Sequence, residues 1–476
     1  MTDLAAPSPD LLDGLRALLG PEGWRDPAAD DPRLAEPRGL WRGQAALILR
    51  PGATEEVAEI VRRAAAARAP VVPYGGGTGL VAGQVAPEGP PPLLLSLERM
   101  TRVRMVSAEE DALIAEAGAI LADVQQAAED VDRLFPLSLA SEGSARIGGL
   151  LATNAGGVAV LRYGNMRDLT LGIEAVLPDG SVLKGLKTLR KDNMGYDLRH
   201  LLIGSEGTLG VITAAALRLF PRPRARATAF CAVPSPEAAG ALLRLLRDRL
   251  GETISAFELM SGEGMRMLAE HVPDCPAPPV EGPWFALVEA AGGEGLPVGE
   301  MLEAGLADAW ERDLVTDAAI AQSESQRAAF WRIREDTPEA NRRRGAVVSC
   351  DVSVPLAAIP DLIANGLTAL ATVDPGLRVN CFGHLGDGNL HYNVFPPLGV
   401  AAKDCRHLRD KAKEAVHDAA DALGGSIAAE HGVGRFKAGE LARRGDPAKL
   451  AAMRAIKRAL DPAGVLNPGA VLEREP

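Results

Sequence analysis

Seven histidines occur in the 476 residues, and three of them fall in two short glycine-rich segments. His384 and His391 lie in Gly383-His384-Leu385-Gly386-Asp387-Gly388-Asn389-Leu390-His391-Tyr392-Asn393, and His431 lies in Glu430-His431-Gly432-Val433-Gly434. A lone histidine in such a loop ordinarily caps a turn, and each of the three taken singly reads that way. The set reads differently. Two imidazoles and a carboxylate with open positions are a frequent arrangement for catalytic Zn²⁺ and for non-haem Fe²⁺, and spacing does not choose between them. The run from Leu390 to Phe395 alternates as a strand, so His391 and Asn393 project from one face. The turn Gly386-Asp387-Gly388 can bring His384 back toward it. His200, His271, His407 and His417 stand in helical or loop contexts and read as structural or exposed.

A second chemistry is suggested by glycine. Gly75-Gly76-Gly77-Thr78-Gly79 is a run whose amides can turn toward one anion, a phosphate cradle. Alone it is weak, because a structural turn is at least as common. It is also not a Rossmann fingerprint, which follows the first strand and opens a helix. This loop follows a second strand and runs on into Leu80-Val81-Ala82-Gly83-Gln84. Further along come Ser141-Glu142-Gly143-Ser144, Gly148-Gly149 and Thr153-Asn154-Ala155-Gly156-Gly157. Two small-residue loops far apart in sequence suggest one long ligand pressed between them, and a dinucleotide has the length.

The elements that must position these groups follow from periodicity. Ala45–Leu49, a helix from Thr54 and a strand at Val71-Val72 form a βαβ crossover. Strands follow at Leu93–Leu97 and Ala112–Glu116, then a helix over 121–132. Pro178-Asp179-Gly180 marks a hairpin between Thr170–Leu177 and Val182–Lys187. Pro221-Arg222-Pro223 reads as a boundary. Beyond it, helices over 236–250, 323–343, 360–372 and 403–423 alternate with strands, giving an α+β unit with an antiparallel sheet covered by helices. The tail from Ser426 is helical, and the first few dozen residues look poorly ordered.

Four stretches carry a resemblance in order and spacing: Pro73 to Gly79, Pro136 to Gly157, Arg190-Lys191-Asp192-Asn193-Met194-Gly195-Tyr196-Asp197-Leu198, and Leu202 to Thr213. With the histidine segments, they make the chain from about residue 40 onward similar to flavoproteins of the vanillyl-alcohol-oxidase type, in the D-2-hydroxyglutarate and D-lactate dehydrogenase branch. The resemblance implies an α+β fold, with a two-part FAD-binding domain of the PCMH type, a substrate domain, and C-terminal helices returning to the FAD domain. The corresponding boundaries are an N-terminal helical extension at 1–40, the FAD domain at 41–221, the substrate domain at 222–425 and the returning segment at 426–476.

It further implies an FAD whose pyrophosphate rests on Gly75, Gly76, Gly77 and Thr78, flanked by Pro73 and Gly79. Contacts are implied from Pro136, Leu137, Gly143, Ser144 and Gly148, from Thr153, Asn154 and Gly157, and from Glu206, Gly210 and Ile212. Asn467 resembles a C-terminal asparagine that reaches back to the flavin. Relatives with covalent flavin use a His or Cys in these loops; neither occurs, so the FAD is expected to be non-covalent. The resemblance favours zinc, with His384, His391 and Glu430 as ligands and His431 beside the metal as base. Arg334, in Phe330-Trp331-Arg332-Ile333-Arg334-Glu335, resembles the substrate arginine, whose planar fork suits a carboxylate. Asn393 and Tyr392 are further substrate candidates.

One departure stands out. In Ser349-Cys350-Asp351-Val352-Ser353, Ser349 and Cys350 occupy places where the family has a Lys or His before the Asp. A charged contact to a distal substrate carboxylate is thus missing, with Thr337 a candidate substitute. D-2-hydroxyglutarate leads as substrate, followed by D-lactate and D-malate, with an electron-transfer flavoprotein or a quinone as electron acceptor. A homodimer is a family-level expectation.

Composition sets outer bounds. A net charge of −12 disfavours nucleic acid, which requires a basic face. Five scattered cysteines suggest a reducing compartment rather than a zinc finger or redox pair. No signal segment is visible, and no uninterrupted apolar stretch approaches the roughly 20 residues of a membrane span, so a soluble, cytoplasmic protein is expected. Two rival readings remain at this point. A flavin-free metallohydrolase or non-haem iron oxygenase would use the same histidines and be colourless, and a flavin-carrying electron-transfer subunit would be yellow but unbleached by any hydroxy acid.

Overall fold

The computed structural model describes residues 4–474, which divide into two units. The first comprises the chain up to Gly156, Asn165–Arg222, and everything from Glu430 onward; the second comprises Gly157–Gly164 and Pro223–Ala429.

In the first unit, three short strands run parallel, with Leu93–Ser96 between Leu47–Leu49 and Val71–Tyr74. Parallel pairing requires a crossover, and the helix Thr54–Ala67 supplies it. Its Val57, Ile60, Val61 and Ala64 recur at helical spacing and are buried against the strands. The Glu56 carboxylate reaches back to the Gly52 amide and satisfies a donor at the helix start. A five-stranded antiparallel sheet follows, in the order 103–107, 112–116, 211–218, 170–176, 182–185. Its last hairpin turns at Gly180, which has a positive φ of 82°.

Both chain ends described here are fastened to this unit. The helix Pro9–Leu19, capped by Ser8, buries Leu15 and Leu19 in the same core as the crossover helix, so this stretch is packed rather than loose. At the other end the Val71 amide donates to Val465 and the Asn467 amide donates to the Val71 carbonyl, both at 2.8 Å. The tail thereby lies as an added parallel bridge along the strand that leads into Gly75-Gly76-Gly77.

The second unit is built on a seven-stranded antiparallel sheet, ordered 317–320, 225–233, 284–292, 254–261, 378–384, 389–395, 348–353. Side chains alternate between two cores. Cys231, Leu259, Val288, Cys381 and Tyr392 face the helices Pro236–Leu250, Val298–Glu311, Ile359–Val373 and Arg409–Ala422. Phe230, Met260, Phe285, Phe382 and Phe395 face the helices Gly262–His271 and Glu324–Glu335. The helix expected over 323–343 is two helices, Glu324–Glu335 and Thr337–Arg344, because Pro338 withholds an amide and restricts the residue before it. One window, Leu356–Val373, is long and apolar enough to cross a membrane, at 18 residues and a mean hydropathy of 1.5, more than the sequence reading allowed. Its Ile359, Leu362, Ile363 and Leu370 pack into the sheet core.

Candidate functional site

Within the first unit the two glycine loops meet. A Cβ on Gly76 would stand 2.3 Å from the Ser144 carbonyl oxygen, and one on Gly75 would stand 3.1 Å from the Gly149 Cα. Backbone therefore lies on backbone. Beside this contact is a cavity holding about 1010 Å³, its open mouth included, the size of the larger ligand clefts at roughly 300–1,000 Å³. Its wall takes Pro73, Gly75, Gly76, Gly77, Thr78 and Gly79 from the first loop. Gly148 and Thr153 come from the second, Glu206 and Gly210 from the segment leading into strand Val211–Arg218, Ile212 from that strand, and Asn467 from the tail. A long, mostly apolar ligand with an anionic middle fits these residues, with Arg146 as the cation in the wall.

Several expected contacts lie elsewhere. Leu137 is buried and its carbonyl accepts the Gln125 amide; Pro136 beside it is also buried and outside the wall. Asn154 closes the helix Ile147–Thr153 in the left-handed region, and its Oδ1 accepts the Arg167 amide. Gly143 and Ser144 are exposed, and Gly157 belongs to the second unit. Conversely Tyr74, Ala145, Arg146 and Ser205 line the cavity and were not singled out as contacts; their position inside the stretches that carry the resemblance was the available signal.

The Glu430-His431 segment is tied to the cavity wall of the same unit. Glu206, nearly buried, accepts the amides of Val433 and Gly434, each at 2.8 Å. The Arg435 and Phe436 amides both donate to the Val81 carbonyl, and Asn467 donates to the Glu206 carbonyl at 2.7 Å. Gly434 has a φ of 52°, and a Cβ there would sit 2.0 Å from the Val81 oxygen, so only glycine permits this approach. Ligand atoms of Glu430 and His431 lie within 4.8 Å of one another.

In the second unit, one sheet face gathers the remaining candidates. His391 pairs with Phe382 on one side and Asp351 on the other, and Glu258 pairs with His384. The His384 and His391 rings stand 5.6 Å apart between centroids, nearly perpendicular. Of the residues on this face, His391 and Asp351 belong to a group whose possible ligand atoms lie within 4.8 Å of one another, and His384 does not. Asp351 lies 3.9 Å from His391 Nδ1 and accepts the Asn389 amide. Arg334 arrives from the helix Glu324–Glu335, with its guanidinium carbon 4.7 Å above the Phe382 ring.

Glu258, which sequence reasoning did not single out, joins two of these groups. It is wholly buried; its Oε2 accepts from Arg334 Nε at 2.6 Å and its Oε1 meets His384 Nδ1 at 2.7 Å. Burial pushes its carboxyl pKa up, but the charges and hydrogen bonds of His384 and Arg334 outweigh that and hold it well below the usual range. The available signal was a single carboxylate in the otherwise uncharged strand Ile254–Ser261.

Tyr392 is corrected as a substrate contact. Strand alternation turns it to the opposite face from His391, where it is fully buried and its hydroxyl donates to the Ile363 carbonyl at 3.1 Å. Asn393 is on the expected face, but its Nδ2 donates to the carbonyls of His391 and Asn380, so it is not arranged to donate to a substrate. Thr337 is fully buried and its hydroxyl donates to the Ile333 carbonyl, which removes it as a substitute charge partner. Ser349 is exposed and pairs with Asn393, whereas Cys350 points into the core beside Tyr392.

Comparison with known proteins identifies the family. Residues 45–185 match the FAD binding domain family, and residues 222–471 match the C-terminal domain of FAD linked oxidases. The chain is 38% identical over 445 residues to the mitochondrial D-2-hydroxyglutarate dehydrogenase of Bos taurus, covering 92% of this chain and 80% of that one. It is 37% identical over 434 residues to the D-2-hydroxyglutarate dehydrogenase of Xanthomonas citri pv. viticola, covering 91% and 90%. In fold it is similar to p-cresol methylhydroxylase, at a TM-score of 0.74 and 16% identity, covering 97% and 96%. The chain thus belongs to the FAD-linked oxidases of the PCMH type and is a D-2-hydroxyglutarate dehydrogenase-like, FAD-dependent oxidoreductase.

Proposed function

We infer that this enzyme oxidises a D-2-hydroxy acid to the 2-oxo acid, with FAD held non-covalently and a divalent metal, zinc by preference, bound by His384, His391 and Glu430. D-2-Hydroxyglutarate is the leading substrate. The observation that carries this reading is the sheet face on which the His384 and His391 rings stand nearly perpendicular and one carboxylate, Glu258, joins His384 to the buried Arg334. A family relationship to D-2-hydroxyglutarate dehydrogenases supports it.

Bound flavin supplies a hydride acceptor at its N5 atom, and a bound cation supplies Lewis acidity toward an alcohol. The chain's own residues do the rest. Arg334 engages Glu258 through Nε alone, leaving its terminal nitrogens outside that contact to pair with a substrate carboxylate. His431 takes the hydroxyl proton on a ring nitrogen, the ordinary work of an imidazole general base. The cavity wall from Gly75 to Thr78 holds the pyrophosphate. With Ser349 rather than a cation on the sheet face, a distal carboxylate meets no charge from that strand, which keeps D-lactate and D-malate among the candidates. Electrons pass on to an electron-transfer flavoprotein or a quinone.

The test is an anaerobic spectral titration of the purified yellow protein with a panel of D- and L-2-hydroxy acids. Bleaching by D-2-hydroxyglutarate and by no L-enantiomer is expected. A flavin that no D-2-hydroxy acid bleaches refutes the proposal.

A further inference from the structure

Glu258 has no place in the chemistry described so far, yet it occupies the most constrained position on the sheet face. Its carboxylate is fully buried in the second unit, on the strand Ile254–Ser261, and its two oxygens serve different masters: Oε2 takes Arg334 Nε at 2.6 Å and Oε1 takes His384 Nδ1 at 2.7 Å. An ionised carboxylate only accepts hydrogen bonds. The hydrogen between Glu258 and His384 therefore sits on Nδ1, and in a neutral ring the lone pair is left on Nε2. The same carboxylate holds the Arg334 side chain by Nε, above Phe382.

We propose that Glu258 is a positioning residue that sets the tautomer and ring orientation of His384 and, with its other oxygen, the pose of Arg334, so that one buried carboxylate aligns the metal-binding and substrate-binding groups together. Its consequence for metal rests on the function proposed above; its hold on the ring does not. Outer partners of this kind are commonly worth 10–100-fold in metal affinity.

Glu258→Gln keeps the size of the side chain but cannot accept from both neighbours. Where the amide oxygen stays with Arg334, the amide nitrogen faces His384 Nδ1 and favours hydrogen on Nε2, the nitrogen a metal needs bare. The experiment uses the full-length, FAD-containing protein, labelled with ¹⁵N-histidine and stripped of metal by a chelator, with His384→Ala identifying the resonances. At a pH where the ring is neutral, wild type is expected to show the Nδ1–H form of His384, and Glu258→Gln the reverse or a mixture. Uptake of Zn²⁺ alone, measured against a competing chelator, is expected to weaken about 10–100-fold in the variant, and KM for the hydroxy acid is expected to rise.

An Nε2–H tautomer in the wild type overturns the proposal, and this reading needs no variant to fold. An unchanged tautomer and unchanged Zn²⁺ affinity in Glu258→Gln overturn it equally. Wild-type protein that takes up no Zn²⁺ but shows the expected tautomer shift refutes the metal in the proposed function while upholding the role of Glu258.

Discussion

The Glu206 carboxylate accepts the main-chain amide of Gly434 at 2.8 Å, so a residue of the cofactor cavity wall fixes the segment that opens with Glu430 and His431. Burial pushes the Glu206 carboxyl pKa up, against the opposing pull of the Val433 and Gly434 amides and of Lys437 and Arg435. A carboxyl raised in the folded state binds its proton more tightly there than in the unfolded chain. Its contribution to stability is complete below the unfolded value, roughly 4.3, and is lost as pH rises through the folded one. Glu206→Gln cannot ionise and should remove this dependence. The Tm of wild type minus that of the variant is expected to fall as pH rises above about 4.3; a difference that grows with pH would contradict it.

Gly76→Ala places a methyl group against the Ser144 oxygen and must push the two loops apart. The variant should be recovered with little FAD and a lowered Tm. Gly143→Ala, where no atom lies within 4 Å of the added carbon, should bind FAD as the wild type does. Absorbance ratios at the flavin and protein bands measure both, and equal flavin content in the two variants would count against the loop contact.

Tyr392→Phe removes the hydroxyl that donates to Ile363. A net cost of about 1 kcal/mol in unfolding free energy is expected, with kcat and KM unchanged. A raised KM would return Tyr392 to the substrate side of the sheet.

His431→Ala should slow flavin reduction by hydroxy acid about 10²–10⁴-fold, the usual worth of a general base, while leaving the FAD cavity and its spectrum intact. Chelation, or His384→Ala, should also stop reduction. Stopped-flow traces at the flavin band check both, and an unaltered rate would reject the role concerned.

Much of this site could be read from residue order. Alternation along Leu390–Phe395 placed His391 and Asn393 on one face, and the strand Asn389–Phe395 does so. The same alternation places Tyr392 in the opposite core, a consequence that its proximity to His391 in sequence obscured. Glycine runs marked the cavity, but glycine reports close approach of any kind. Gly76 answers to the Ser144 carbonyl as much as to a ligand, and Asn154 answers to a helix end. Glu258 was hidden for another reason: its partners Arg334 and His384 stand 76 and 126 positions away, and only the pairing of non-adjacent strands and a packed helix brings them to it.

The bridge between Val71 and Leu466 joins the strand Val71–Tyr74 to the segment after the helix Pro447–Leu460. During synthesis, therefore, the nucleotide-binding half leaves the ribosome early but lacks a closing piece until Leu466 has been made. The intervening sheet, complete by Ala429, emerges whole while its host is still open. A chain that stops short of Leu466 should therefore accumulate as apoprotein with a folded insert.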